Sequence, residues 1–483
     1  MNHYTIDPEN INTLCAGGTE LTKKMDNSLG LSKIIQSLNI KKKGLPMEKI
    51  ALSMVSARID NPDSVWNSVE HIKQHSSALT GFDIDPNDVH QKTYYRGIAK
   101  LGENADKIYP LLMDAVQEKF GLDMKYVFID WTSSYFDGNK CKLAKKGFSK
   151  DHRPDRPQVK IGLATTAGKI IPFHFSVEKG NLVDSPHFRK DYDAIKSRLP
   201  KNALMVFDKG PKSKGNCELI RESGHDYLSA IKDTAELRAK IRPINKESML
   251  ELFQYESGDK VFGCWRENSA GVYEYIYYDE RRANHDVKKR QRKIKKVLKE
   301  KEELTKKMEQ KGAKSLTKKK RKKVTKELND VVITTEIVIQ KRLVKKTDEE
   351  ITVELEADKD LDGFFALESS RNLKPKNALR LYRRKDKIEK LISDLKSVHR
   401  IRPFRVWTND AIKGAMLICM ITTLFIGLLQ QAMNCLRKTK KTVVDRLMRL
   451  TCVIKSDGLG NIIWKEFANL TPFLRKFLCL SLG

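Results

Sequence analysis

A chain of 483 residues with 92 Lys and Arg against 62 Asp and Glu carries a formal charge of +30 and a pI near 9.6. That length makes room for two or three domains with a substantial core, and the charge favours a polyanionic partner, nucleic acid before a membrane surface. The eight cysteines form no Cys-x2-Cys pair and have no His at zinc spacing; this argues against a disulfide framework or a zinc knuckle and fits reduced intracellular thiols.

The first residues, Met-Asn-His-Tyr-Thr-Ile-Asp-Pro, show neither a basic start nor an apolar run, so no secretory signal is expected. Residues 1–120 read as a helical N-terminal domain. Leu31, Ile34, Ile35 and Leu38 share one short face, and Pro46 suits the first turn of a helix running from Met47 to Ile59. Asn61-Pro62-Asp63-Ser64 is a turn and cap, and two further helices are expected near Val89–Leu101 and Ala105–Phe120. A basic helical module of this kind serves DNA contact or a purely structural purpose; no helix-turn-helix can be assigned.

From Lys125 the period changes. Tyr126-Val127-Phe128-Ile129 is a short strand closed by Asp130. Residues 158–166 and 170–177 read as two more strands, Asp191–Leu199 as a helix, and Ala203–Phe207 as a fourth strand closed by Asp208. An aspartate at the carboxyl end of a strand in an open α/β sheet lies where ligands are usually bound. Either aspartate alone reads as a turn cap. Between the first two strands, Lys150, His152 and Arg153 make a cationic loop suited to a phosphodiester, or simply a solvated one; for Arg156 the solvated reading is preferred.

Asp208 lies 181 residues before Glu389, and an inserted domain (233–361) fills most of the gap. Its first part is β-patterned around Leu252–Tyr255, Lys260–Trp265 and Val272–Tyr278. Between Lys288 and Lys326, 20 of 39 residues are Lys or Arg and four are Glu. Ile294, Val297, Leu298, Leu304 and Met308 keep a helical stripe there, and Gly312 can turn it back toward Leu316, Val324 and Leu328. A basic helical hairpin lying on phosphates is expected, with a disordered basic arm as the alternative. Val331–Thr335 and Ile351–Val353 return to β patterning.

Leu379–Lys396 contains no Gly or Pro and reads as one helix. At about 100° per residue, Tyr382, Lys385, Glu389 and Lys396 share one side, next to a stripe of Leu381, Ile388, Leu391, Ile392 and Leu395. Gly414–Leu429 is apolar but only 16 residues long, short of the roughly 18–20 that span a bilayer. A buried helix over 411–435 and a soluble protein are expected. The tail after Arg437 carries no clear pattern.

The spacing Tyr382-x2-Lys385-x3-Glu389-x6-Lys396 closely resembles the Tyr-Arg-Glu-Lys signature of a large group of insertion-sequence DDE transposases. Gly147–Gln158 (GFSKDHRPDRPQ) and Gly180-Asn181-x2-Asp184 resemble further runs of one subgroup. The resemblance implies an α/β fold: an RNase H-like catalytic core (121–232 and 362–440) interrupted by a mainly β insertion, here with a basic helical hairpin, and preceded by the helical N-terminal domain. It implies Asp130, Asp208 and Glu389 as catalytic residues and metal ligands, holding two Mg²⁺ ions about 3.5–4 Å apart with Mn²⁺ able to substitute. It places Tyr382, Lys385 and Lys396 on transposon-end DNA beside Lys150, His152 and Arg153. The partners implied are double-stranded DNA, as element ends and target, and a second copy in a synaptic homodimer, with no membrane and a cytoplasmic, nucleoid-associated location. Lys385 departs from the family's Arg: it keeps the charge and loses the planar two-bond fork. A nucleic-acid binder on a dead transposase scaffold and a stand-alone metal nuclease are the other readings; three intact carboxylates favour the transposase.

Overall fold

The computed structural model describes residues 11–40, 43–136, 141–151, 153–311, 343–402, 404–435, 439–456 and 462–481. In chain order the elements are β1 (Ile11–Cys15), α1 (Gly17–Leu29), α2 (Leu31–Ser37), α3 (Met47–Asp60), α4 (Val65–Gln74), α5 (Ala78–Gly81), α6 (Gln91–Glu103) and α7 (Ala105–Phe120). Then follow β2 (Tyr126–Tyr135), β3 (Gln158–Thr166), β4 (Pro172–Lys179), α8 (Asp184–Ile195), β5 (Leu204–Phe207), α9 (Lys214–Glu222) and β6 (Asp226–Ala230). Next come α10 (Ala235–Ile241), β7 (Leu250–Gln254), β8 (Lys260–Glu267), β9 (Tyr273–Asp279), α11 (Glu280–Lys311), α12 (Asp348–Glu356), β10 (Phe364–Ser369) and α13 (Pro375–Arg383). The chain ends with α14 (Asp386–Ser397), α15 (Asn409–Ala432), α16 (Lys440–Leu447), β11 (Thr451–Ser456), β12 (Ile462–Ala468) and α17 (Pro472–Leu478).

The chain divides into two compact units, one of residues up to Ser229 with those from Leu381 onward, the other Ala230–Arg380. In the first unit the strands run in the order β4-β3-β2-β5-β6. The pairs β4–β3 and β3–β2 are antiparallel, while β2–β5 and β5–β6 are parallel. β2 and β5 are paired only over Tyr126–Phe128, so the second half of β2 is free on that side, and Asp130 begins it. The four apolar residues of β5 are all buried, as expected of a strand covered on both faces.

The N-terminal helices pack into this same unit. Between Ala411 and Leu429, α15 carries Leu, Ile, Met, Phe, Ala or Cys on nearly every face, and it is the one helix among the described residues long and apolar enough to cross a membrane. Here its apolar window is 94% buried, against α3, α6, α7, α16 and β4. Close approach explains the glycines at the crossing: a Cβ on Gly102 would strike the Asp410 carbonyl, and one on Gly414 the Ile98 carbonyl. Thr408 caps the helix, its Oγ1 accepting from the Ala411 N–H at 3.1 Å.

Two segments differ from the expectation for the chain ends. Residues 11–15 form a strand, and the patternless tail supplies its partners, giving an antiparallel sheet β1-β11-β12. The expected 1–120 domain and 441–483 tail fall in one unit with residues 121–229 and 381–440, while 230–232 and 362–380, expected in the core, fall in the second unit.

In the second unit the strands run β10-β9-β8-β7, all antiparallel, around Leu237, Ile241, Met249, Ile276 and Ala366. The expected first arm of the basic hairpin is a 32-residue helix, α11, which starts eight residues earlier than Lys288. Its stripe leads to buried Leu304 and packs beside α12, where Ile351 is buried. Ile351–Val353 is therefore helix and not strand: Thr347 and Glu350 form a reciprocal capping box that starts α12. The second arm (Leu316, Val324, Leu328) and Val331–Thr335 lie outside the described residues.

A buried carboxylate on α3 makes stability pH-dependent. Asp60 is 1% exposed; its Oδ1 accepts from the Gly18 N–H at 2.6 Å, and Oδ2 has no hydrogen-bond partner among the described residues. Burial pushes its pKa up to about 7, the Gly18 bond opposing. Between pH ~4 and 7 the folded chain therefore binds the proton that the unfolded chain has lost, so this site's contribution falls as pH rises through that window. Asp60→Asn should raise Tm by about 2–5 °C at pH 8 and leave it unchanged at pH 4. Calorimetry at the two pH values checks this, and an equal shift at both would show that ionisation plays no part.

Candidate active site

Three elements of the first unit bring the carboxylates together. Asp130 lies within β2, which continues to Tyr135 rather than closing at Ile129. Its pairing with β3 persists through Gln158, so the strand is held rigidly past the aspartate. Asp208 follows the end of β5, and Glu389 is in the first turn of α14.

At their centre is Lys385, whose side chain is 4% exposed. Its Nζ donates to Glu389 Oε1 at 2.6 Å and lies 3.4 Å from Asp208 Oδ1. Burial pushes the Lys385 pKa down, but the summed attraction of Asp130, Asp208 and Glu389 outweighs it and holds the ammonium above its ordinary value. Tyr382 donates its phenolic O–H to Asp208 Oδ1 at 2.9 Å, and burial together with that carboxylate pushes its pKa up. Asp130 is 6% exposed. Burial raises its pKa, with Lys150, at 3.6 Å, and Lys385 opposing.

The expected single helix over Leu379–Lys396 is broken. α13 ends at Arg383 and α14 starts at Asp386. Between them the N–H groups of Lys385, Lys387 and Ile388 bond to the carbonyls of Tyr382, Arg384 and Lys385 respectively, each three residues back. This tighter 3₁₀-like turn advances the chain faster than 100° per residue. The apolar stripe survives it, with Leu381, Ile388, Leu391, Ile392 and Leu395 all buried. Arg384 points elsewhere, its Nη2 donating to the Ala167 carbonyl at 2.8 Å.

Lys396, expected on the Glu389 side, belongs to a neighbouring cluster. Its Nζ donates to Asp151 Oδ1 at 2.7 Å, and Arg402 donates to the same oxygen at 3.0 Å. Burial pushes the Lys396 pKa down, with Asp151 opposing. Asp151, its side chain 2% exposed, was not singled out from the sequence; the adjacency Lys150-Asp151 in the GFSKDH run was the available signal. Lys150 is where expected: it donates to the Trp131 carbonyl and faces Asp130. Arg153 is not. Its guanidinium forms a two-bond pair with Asp155, both at 2.9 Å, and lies over the Tyr135 ring. His152 lies outside the described residues. The two glycines of the sequence runs meet, because a Cβ on Gly147 would strike the Gly180 carbonyl.

Behind the site, Trp131 Nε1 donates to Asp191 Oδ2 at 2.8 Å, and Asp191 also holds His174 and His187 at 3.2 and 3.5 Å. This buried network fixes the residue next to Asp130.

The chain from 122 to 425 matches the family described as Transposase DDE domain. The chain is a DDE transposase. It is thus an enzyme that cuts and transfers DNA, in a family that uses divalent metal ions. No curated protein matches it in sequence. Among solved structures, a cryo-EM structure of the piggyBac transposase synaptic complex with hairpin DNA is similar at 10% identity and a TM-score of 0.42, over 96% of this chain and 82% of that one.

The donor set of this transposase suits a hard divalent ion: the Lys385 ammonium is in contact with Glu389 and Asp208 and lies within the field of Asp130, so three carboxylates from three elements already act on one cation. Among the described residues no three Asp, Glu, His or Cys groups stand close enough to form a metal cage as they are; the ammonium is held against two of the carboxylates. Lys385→Ala should therefore destabilise the metal-free protein by about 1–2 kcal/mol, less than the roughly 3–5 of a fully buried pair because Asp208 and Glu389 are half exposed. In EDTA its Tm should fall, and Mn²⁺ should recover more Tm in the variant than in wild type. Equal Mn²⁺ shifts in both would show that lysine and metal do not share the carboxylates.

Proposed function

We propose that the protein is an insertion-sequence transposase. It binds the terminal inverted repeats of its element and carries out strand cleavage and strand transfer at Asp130, Asp208 and Glu389, with two Mg²⁺ ions that Mn²⁺ can replace. The convergence of these three residues on one buried cation carries the reading. The strand order β4-β3-β2-β5-β6, with only the first two pairs antiparallel, supports an RNase H-like core, and the four-stranded second unit the insertion.

When bound, the ions lower the pKa of the attacking water or 3′-hydroxyl and stabilise the leaving 3′ oxygen. The chain's own residues divide the remaining work. Asp130 is immobilised by the β2–β3 pairing and buried, while Asp208 and Glu389 are half exposed to solvent. Tyr382 fixes the rotamer of Asp208 through its hydrogen bond. Lys385, freed from the carboxylates, is placed to meet a non-bridging phosphate oxygen as a point charge. Lys150 stands beside Asp130 for the adjoining phosphate. A synaptic homodimer and a cytoplasmic, nucleoid-associated location belong to the same reading.

On DNA carrying the inverted repeats that flank the gene, nicking should require Mg²⁺ or Mn²⁺ and stop in EDTA. Asp130→Ala, Asp208→Ala and Glu389→Ala should each lower it by at least about 10³-fold while end binding persists. Undiminished cutting by one variant would remove that residue from the site.

The second unit would supply phosphate contacts. Lys288, Lys289, Arg292, Lys293, Lys295, Lys296 and Lys299 are exposed on α11. Replacing Lys293, Lys295 and Lys296 by Gln should weaken binding to all duplexes alike and flatten the salt slope by about 0.9 per lost contact. An unchanged slope would make α11 a spacer or a protein-facing surface.

A further inference from the structure

Away from the carboxylates, the first unit contains a pocket of about 350 Å³ between the start of α4 and the segment leading into α15, within the range of small-ligand sites. Its charged lining is four arginines, Arg58, Arg400, Arg402 and Arg405, and one acid, Asp63. Asp63 is engaged by Arg400, at 3.5 Å, and by the Ser64 N–H.

Arg58 is 5% exposed. Its Nη1 donates to the His399 carbonyl at 2.9 Å; among the described residues its Nε has no hydrogen-bond partner and no carboxylate is paired with it. A buried guanidinium without a counter-charge is strongly unfavourable. The adjoining His399 supplies no negative charge; burial and the neighbouring cations, Arg58 among them, hold it neutral. Something anionic belongs in this pocket.

Two observations identify the anion's class. Trp66 and Trp407 are 55% and 59% exposed, and each directly follows a lining residue, Val65 or Val406. Exposed tryptophans next in sequence to the walls of an arginine-lined pocket are a combination that suits nucleic acid. The pocket is also tied to the catalytic end of the sheet. Ser134, in β2 beyond Asp130, donates to the Ile401 carbonyl at 2.9 Å. Arg402 reaches Asp151, the residue next to Lys150.

We propose that this pocket seats a backbone phosphate of the bound DNA, with Arg58 at its floor and Arg400, Arg402 and Arg405 around it. It thereby fixes the strand at a second point beyond the carboxylates. The inference rests on the DNA-cutting reading above and adds a site to it. Arg58 supplies the buried charge that selects a seated phosphate over a passing one, and the three exposed arginines supply forked donors.

The test uses the full-length protein and a short DNA duplex, with binding followed by tryptophan fluorescence across a salt series, and inorganic phosphate as a second probe. Arg400→Gln/Arg405→Gln changes only exposed side chains, and Arg58→Lys keeps the charge but removes the fork. The double variant should bind duplex about tenfold more weakly, with a salt slope smaller by about 0.9 per lost phosphate and a smaller fluorescence change. Arg58→Lys should weaken binding at an unchanged melting temperature. Wild-type affinity and slope in the double variant overturn the proposal. So does a fluorescence response to inorganic phosphate that the double variant loses while its duplex binding stays intact, which identifies a small-anion pocket. A wild-type protein that binds no duplex at any salt concentration defeats the DNA reading itself; one that binds and nicks DNA while the variants match it defeats the pocket alone.

Discussion

Like charges brought close together have to be neutralised, and that constraint shapes the first unit. Asp130 comes from a strand paired on both sides at its start, Asp208 from just past a strand end and Glu389 from a helix, so their backbones are fixed close to one another. Without a counter-charge the buried member would take up a proton, as the upward displacement of Asp130 indicates. Lys385 supplies the counter-charge from within the chain. It can do so because the 3₁₀-like turn between α13 and α14 places its side chain inward while Arg384 faces the Ala167 carbonyl. A continuous helix would have held the same four residues on one side, but with a different phase between Tyr382 and Glu389.

The parts of the fold that were legible in the sequence are those where a local signal and tertiary packing agree. The run 158–166 alternates in a way only a strand satisfies, and β3 has those bounds. The helix Ala105–Phe120 likewise matches. The apolar run after Lys413 was legible as a core helix, and the apolar window of α15 is 94% buried. The short length expected for it does not hold: at 24 residues the helix is long enough to cross a bilayer, and its burial is what places it in the core. Where local and tertiary preferences conflict, sequence reasoning failed. Val353 favours strand, yet the Thr347–Glu350 capping box and the packing of Ile351 near α11 make helix. Residues 11–15 and 451–456 have no meaning alone, since each is stabilised by the other from the opposite end of the chain.

The candidate site was legible as a set of residue types and not as a geometry. Tyr382, Lys385 and Glu389 do meet Asp208 and Asp130 around one cation. Lys396 and Arg153 carry the same charge but are engaged by acids the sequence did not flag, Asp151 and Asp155. The reason is physical: spacing along a helix fixes direction within a turn or two, whereas a salt bridge to a loop depends on how that loop folds back. A lysine seven residues beyond Glu389 is far enough to be captured by another partner.

The composition itself divides into two kinds of cation with different consequences. The exposed lysines of α11 from Lys288 to Lys299 are solvated, cost little to leave unpaired, and act together as a field that decays within a Debye length of about 8–10 Å. The buried cations of the first unit need individual partners. Lys385 has its carboxylates. Lys440, 8% exposed, is pushed down to about 8 by burial, with Asp394 opposing. Arg58 has a carbonyl but no acid among the described residues. A net charge of +30 cannot distinguish these cases, because a buried arginine and a solvated lysine count equally in it. Burial does distinguish them: it converts a charge that merely attracts polyanions into one whose energy depends on where a single anion sits.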